Sequence, residues 1–438
     1  MATYPQAFTE RLQQQLGEEF STFLNTLNGP SPVSVRRNPY KGKALFEGEE
    51  PVSWCPQAVY LKERPVFTLD PLLHAGAYYV QEASSMFVEQ AWKHILKSGP
   101  LLVLDLCAAP GGKSTHLLSL MSEEDVLVSN EPIPNRNKIL RENLVKWGYA
   151  NYLVTQNEAP DFARAGVQFD VVLVDAPCSG EGLFRKDKNA IDEWSEKNVE
   201  MCAARQHDIL QAVRQCIKPG GYLIYSTCTY EAAENDVHIQ QLMAEGWQLQ
   251  LPFTDAAEEL VFTGFGYQFY PHKVKGEGFY LSLLRKPMDD SLPSSLKPVS
   301  PSKTHKHLSQ YLARPEGFIE LRKGENWYAL PLNVAPYFSA FSPKLQVRQA
   351  GLLLGEEKAG ELLPAHQVAL YHGVSPNLPA VELDYNTAIR YLKCETIKAE
   401  GAKGWHLVRY QGSNLGWVKL LPNRVNNYYP RDWRILMR

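Results

Sequence analysis

Residues 101–113 read Leu-Leu-Val-Leu-Asp-Leu-Cys-Ala-Ala-Pro-Gly-Gly-Lys. The run Leu101 to Leu106 has strand length and is apolar except at Asp105, as expected of a strand covered on both faces. It meets a turn of small residues, Cys107 to Gly112. Beyond the turn, Lys113 to Met121 has the spacing of a helix. A strand, a glycine-rich turn and a helix in this order form the opening half of a βαβ unit.

The same alternation continues downstream. Asp125 to Asn130 reads as a second strand ending at Glu131, and Asn135 to Trp147 as a helix. Phe169 to Val174 is another strand and Val199 to Cys216 another helix. The turn Pro219-Gly220-Gly221 leads into the strand Tyr222 to Thr227. Strands alternating with helices predict an α/β fold, a doubly wound and mainly parallel Rossmann-like sheet with right-handed crossovers, over residues 96–286. Upstream, residues 1–95 read as a small α+β segment. Gln6 to Leu27 has helical spacing and ends at the breaker Gly29-Pro30-Ser31-Pro32. Val33 to Arg37 reads as a short strand with two exposed arginines, and Tyr78 to Gln81 precedes a helix over Glu82 to Ile95. Downstream, the Pro- and Ser-rich stretch 287–305 is expected to be a linker. Residues 306–378 mix short strands and turns in an intermediate α+β domain. Residues 379–438, with short strand-like pieces around Gly404, Gly412 and Gly416, suggest a small β-rich barrel.

A chain of 438 residues is too long for one ordinary core, so two or three domains are expected. Its first residues lack an apolar signal region, and no apolar run approaches the roughly 20 residues that span a bilayer. A cytoplasmic protein without membrane partners is the simplest expectation. Seven cysteines at wide spacing, none in C-x-x-C, argue against a disulfide framework and against a metal centre. Net charge is −3, yet Tyr385 to Arg438 carries ten Lys/Arg against three Asp/Glu. A basic tail on an acidic body is a solvated face or a phosphate-binding module.

Ligands of doubly wound sheets bind beyond the carboxyl ends of the strands, where the strand order switches. The loop after the first strand lies there. Its small residues let the backbone approach a ligand, and the next helix offers unpaired N–H groups. Glu131, at the end of the second strand, can accept from both hydroxyls of a ribose. The loop lacks G-x-G-x-x-G, and Cys107 stands where a P-loop needs glycine. Dinucleotides and triphosphates are therefore disfavoured. S-adenosylmethionine, an adenosine ligand without phosphates, fits.

Two later strands each end in a cysteine. Asp175-Ala-Pro-Cys178 follows one, and Ser226-Thr-Cys228 the other. A thiolate beside a methyl donor suits carbon 5 of cytosine, which is a poor nucleophile until sulfur adds at carbon 6. Asp175 is the candidate to assist at ring N3. The thiolate needs positive neighbours such as Lys113. The target base must be unpaired or flipped out. Spacing does not decide which cysteine attacks.

The segments LDLCAAPGGKSTHL, DAPCSGEGLFRK and YSTCTY closely resemble motifs of the Nop/Sun-type RNA cytosine-5 methyltransferases. YYVQEASSM, residues 78–86, resembles the segment before their catalytic core. The terminal LGWVKLLPNRVNNYYPRDW is similar to the PUA-like RNA-binding domain of bacterial members that modify 16S ribosomal RNA. The resemblance implies that Cys228 is the nucleophile and that Cys178 assists release of the adduct. It also implies donor contacts from Cys107, Ala108, Ala109, Pro110, Gly111, Gly112, Lys113, Glu131, Glu158 and Asp175. The family usually has Asp where this chain has Glu158. Trp405, Trp417, Tyr428 and Tyr429 are candidates to stack on unpaired bases or to fill the barrel core.

The expected partner is RNA, with 16S ribosomal RNA or the 30S subunit favoured by the tail, and the expected protein is a monomer. Transfer RNA as substrate remains an alternative, because the catalytic motifs see only a cytosine. A non-catalytic RNA-binding assembly factor is the reading from another class. It loses ground because both thiols and Glu131 are present.

Overall fold

The computed structural model describes residues 4–42, 45–251, 253, 259–288 and 307–437. Residues 289–305 of the expected linker lie outside the described residues.

The centre is one mixed sheet. Its main strands are β1 (Leu102–Asp105), β2 (Val126–Asn130), β3 (Tyr152–Thr155), β4 (Phe169–Asp175), β5 (Ile217–Thr227), β6 (Tyr267–Phe269) and β7 (Phe279–Arg285). They lie in the order β6-β7-β5-β4-β1-β2-β3. Pairings among β1 to β5 are parallel, and β7 runs antiparallel to β5 and β6. From β1 the chain winds outward through β2 and β3, then returns to place β4 and β5 on the other side. The order thus switches between β1 and β4.

Side chains alternate between the two faces with the period of two that strands impose. Val103, Val171 and Leu173 join one core with Leu117, Leu140, Leu144 and Trp147. Leu102, Leu104, Val172 and Val174 join the other with Phe162, Leu210 and Val213. Truncating a side chain such as Leu104, which is fully buried, costs about 2–5 kcal/mol at such sites. These strands read as continuous apolar runs because both faces are covered.

The N-terminal segment forms a four-stranded sheet, ordered Glu50–Val52, Cys55–Leu61, Val33–Arg37, Tyr78–Val80. Its first helix is broken at Gly17 (φ +55°) into Gln6–Leu16 and Phe20–Leu27. The helix expected over 82–95 is a 3-10 turn, Ser84–Phe87, followed by the short helix Val88–Lys93. One expectation is overturned here: Arg36 is not exposed but 1 % accessible. Its guanidinium lies 4.5 Å from the centre of the Trp147 ring. It donates to Gln81 Oε1, Thr115 Oγ1 and the carbonyl of Gly112. Stacking and a full set of acceptors compensate the lost hydration of the cation.

The region 306–378 is not separate from the core. Its strand Val347–Ala350 pairs antiparallel with β3 and extends the central sheet at that edge. The C-terminal sheet consists of Ala380–Glu382, Gly404–Tyr410, Ser413–Leu421 and Arg424–Asn427. It packs with the helix Tyr385–Leu392, whose N-terminus is capped by Asp384. Of the four candidate stacking aromatics, Trp417 and Tyr429 are core, at 1 % and 3 % exposure. Trp405 and Tyr428 are partly exposed and touch one another at 4.4 Å between ring centres. Among the described residues, no helix is long and apolar enough to cross a membrane.

Candidate active site

The carboxyl ends of β1, β2, β4 and β5 surround a cavity of about 620 Å³ at the switch in strand order. Cys107, Ala109, Glu131, Glu158, Asp175, Cys178 and Cys228 all line it. With Arg205 and Asp208, which also line it, residues from six separate stretches of sequence meet at one rim.

One half is built by the loop after β1. Gly111 (φ +113°) begins the helix Gly112–Leu120, in a backbone region that side chains rarely adopt. Inside the turn, Ser114 Oγ donates to Asp105 Oδ2 at 2.6 Å. Burial pushes the Asp105 carboxyl up to about 7. Glu131 is 1 % exposed, and its Oε1 accepts from the Ile133 N–H at 2.9 Å. Arg136 reaches Glu131 Oε2 at 3.4 Å and the carbonyl of Ala109 at 3.1 Å. Each carboxylate oxygen has two lone pairs, so Glu131 keeps acceptor capacity toward the cavity. Glu158 is exposed, and it begins the helix Ala159–Ala165 in a capping box with Asp161. Asn130, to which the sequence reading gave no role, ties the strand ends together. Its amide donates to the carbonyls of Leu106 and Asn157, and its oxygen accepts from Thr155 and the Asn157 N–H.

The other half lies across β4 and β5. Lys113 Nζ is 2.7 Å from Asp175 Oδ2, and Ser226 Oγ donates to Asp175 Oδ1 at 2.8 Å. Burial works against the Lys113 ammonium, but the carboxylate beside it outweighs burial and raises its pKa. The Sγ atoms of Cys178 and Cys228 are 3.2 Å apart, and the Cys228 N–H donates to Cys178 Sγ. The hydrogen bond with Cys228, and then burial, hold the Cys178 thiol well above its ordinary value. Gly182 packs where no side chain fits. An added Cβ would stand 2.3 Å from the Gly278 carbonyl and 2.9 Å from that of Cys228.

Away from the cavity, the fold gathers Cys55, Glu89 and His116, a group with no signature in the spacing. His116 Nε2 lies 3.1 Å from Glu89 Oε2 and 3.7 Å from Cys55 Sγ. Burial holds His116 down to about 4. This cluster ties the N-terminal segment to the helix Gly112–Leu120.

A doubly wound sheet of this order, with its cavity at the switch point and no phosphate loop, defines a Rossmann-like methyltransferase. Comparison with known proteins narrows the class. Residues 97–285 match the 16S rRNA methyltransferase RsmB/F family, residues 4–83 the N-terminal domain of 16S rRNA methyltransferase RsmF, and residues 378–435 the methyltransferase RsmF PUA domain. The chain belongs to the 16S rRNA methyltransferase RsmB/F family. It is 32 % identical over 410 residues to ribosomal RNA small subunit methyltransferase F of Shewanella loihica, covering 87 % of this chain and 83 % of that one. It is 29 % identical over 466 residues to the protein of the same name in Vibrio parahaemolyticus, covering 98 % and 97 %. Among solved structures, a methyltransferase homolog protein from Pyrococcus horikoshii superposes with a TM-score of 0.56 at 27 % identity, over 65 % of this chain and 95 % of that one.

Proposed function

We propose that this protein methylates carbon 5 of a cytosine in 16S ribosomal RNA, with S-adenosylmethionine as donor and Cys228 as covalent catalyst. The observation that carries the reading is the pair of thiols in contact at the cavity rim, beside the Lys113–Asp175 ion pair. The names of the relatives support ribosomal RNA as the substrate, and the match to a PUA domain supports RNA binding.

The residues present fit the donor. The cavity is of a size for a nucleoside with an extended tail. Glu131 on the cavity wall offers the carboxylate a ribose would need, and among the described lining residues the cations are Arg136, which pairs with Glu131, and Arg205. S-adenosylmethionine supplies an electrophilic methyl group on a sulfonium.

Lys113 places positive charge close to Cys228. The Cys228 sulfur adds to carbon 6 of the flipped base, and the ring pair shifts toward N3 and carbon 5. Asp175 meets N3 and relays a proton to it from solvent, and the Lys113 ammonium 2.7 Å away holds the carboxylate in place. Carbon 5 then forms its bond to the methyl group as the methyl–sulfur bond of the sulfonium breaks and leaves a neutral thioether. Cys178 is held protonated chiefly by its hydrogen bond to Cys228. Once the Cys228 sulfur is bonded to carbon 6 it carries no charge, so that restraint is lifted. Cys178 loses its proton to solvent, takes the carbon 5 proton, and the returning electron pair expels Cys228 while the N3 proton goes back through Asp175.

The test is transfer of labelled methyl from S-adenosylmethionine to unmodified 30S subunits, naked 16S ribosomal RNA and bulk transfer RNA, with Cys228→Ala as blank. Label in 5-methylcytosine of ribosomal RNA is expected. Label confined to transfer RNA overturns the substrate, and label in another base overturns the chemistry.

A further inference from the structure

Two glutamates with no part in the chemistry above lie fully buried beside the thiols. Glu181 and Glu234 are both 0 % exposed. An ionisable group is costly to bury unless its hydrogen bonds are met; here one oxygen of each carboxylate accepts from the opposite loop, and Glu234 Oε1 has no partner. Glu181 belongs to the loop that carries Cys178. Its Oε2 accepts from Thr229 Oγ1 at 3.1 Å and from the Tyr230 N–H at 3.2 Å, both just beyond Cys228. Its Oε1 accepts from Trp194 Nε1 at 2.9 Å and pairs with Arg11 of the first helix. Glu234 follows Cys228 in the chain. Its Oε2 accepts from the Ser179 N–H at 2.9 Å and from Gln206 Nε2 at 2.8 Å. The same Gln206 nitrogen donates to the Pro177 carbonyl at 2.9 Å, so both neighbours of Cys178 are held. A direct link closes the arrangement, with Ser179 Oγ 2.9 Å from Thr229 Oγ1.

We propose that Glu181 and Glu234 are reciprocal positioning residues for the two thiols: each carboxylate extends from one cysteine loop and fixes the backbone of the other. The backbone groups involved lie past the ends of β4 and β5, where ladder partners run out. Two buried carboxylates replace them. An apolar pair would pack as well, but it would offer nothing to the N–H groups of Ser179 and Tyr230. Arg11 makes the N-terminal helix part of this arrangement, since it bridges Glu181 and Glu231.

The consequence is a division of labour that a general structural role would not produce. The proposal rests on the covalent reading above for its activity arm only. In the full chain, iodoacetamide labelling at fixed pH, resolved by peptide mass, reports Cys178 and Cys228 separately without RNA or donor. Glu234→Gln is expected to change the Cys178 rate by about tenfold, with a smaller effect at Cys228, and Glu181→Gln the reverse. Gln206→Leu and Arg11→Ala, which keep the buried carboxylates, are milder versions of the two perturbations and are expected to follow the same pattern. With 16S ribosomal RNA and S-adenosylmethionine, Glu234→Gln should accumulate a denaturation-resistant protein–RNA adduct while Glu181→Gln should not, with the KM for donor unchanged in both. Equal effects at both thiols, or rates within twofold of the parent in all four variants, overturn the proposal. Failure of Cys178→Ala to form any adduct would count against the covalent reading instead, and the labelling arm would still decide the positioning.

Discussion

The sulfur of Cys178 stands 3.2 Å from that of Cys228, and the backbone N–H of Cys228 points at it. Contact of this kind makes the state of one thiol depend on the other. In the mechanism proposed above it also separates the two roles, with one sulfur adding to the base and its neighbour staying protonated until the adduct exists. Cys228→Ala is therefore expected to abolish turnover while donor binding survives, as equilibrium dialysis would check. Cys178→Ala should accumulate a protein–RNA adduct stable to denaturation, visible as a shifted band in a denaturing gel. Free product from that variant would exclude Cys178 from elimination.

Lys113 and Asp175 form one unit at 2.7 Å. Lys113→Met and Asp175→Asn are each expected to lower kcat by about a hundredfold, in the range of a positioned acid–base group. The double variant should be little worse than either single one, because groups that act together are not additive. Multiplicative losses in the double variant would mean that the two act independently.

Arg36 joins the N-terminal sheet to the loop that shapes the cavity, through Gly112 and Thr115. Arg36→Ala leaves buried acceptors unpaired and a gap over Trp147, a cost of about 2–4 kcal/mol. Lysine should not restore it, because an ammonium cannot match the planar guanidinium fork. The denaturant midpoint of both variants, with an unchanged m-value, measures this directly.

Stability should fall on the acid side of neutrality. Burial holds His74, His116 and His238 each down to about 4, against about 6.5 in an unfolded chain. Between those values the unfolded state binds protons that the folded state does not, so stability rises with pH across the window and is lost as pH falls through it. Each such group contributes about 1.4 kcal/mol per pH unit there; Asp105, held up to about 7, works the other way over the same window, and the three histidines outnumber it. Thermal midpoints from pH 7.5 down to 5 should decline, and a variant with His238→Gln should decline less steeply.

Much of the catalytic core was legible from local pattern. Strands buried on both faces are apolar runs whatever surrounds them, and Cys178 and Cys228 each follow such a run directly, so both had to lie on the same rim. The small-residue loop ending in Gly111 and Gly112 likewise announced itself. Arg36 was misread, because a strand's alternation says which face a residue occupies but not what covers that face. Glu158, which the resemblance implies as a donor contact, lines the cavity, and its helix-capping role depends on Asp161 three residues on.

What the sequence by itself determined is therefore the doubly wound sheet, the rim at which its cavity lies and the candidate side chains that line that cavity. Each of these follows from periodicity and from residues within a few positions of one another. Only the tertiary structure decided the contact between the thiols and the crossed carboxylates Glu181 and Glu234. It also decided the burial of Arg36 against Thr115 and the addition of Val347–Ala350 to the sheet edge. The physical reason is range: these are packing and hydrogen-bond pairings between residues dozens to hundreds of positions apart, and a periodic pattern in one segment carries no information about its partner.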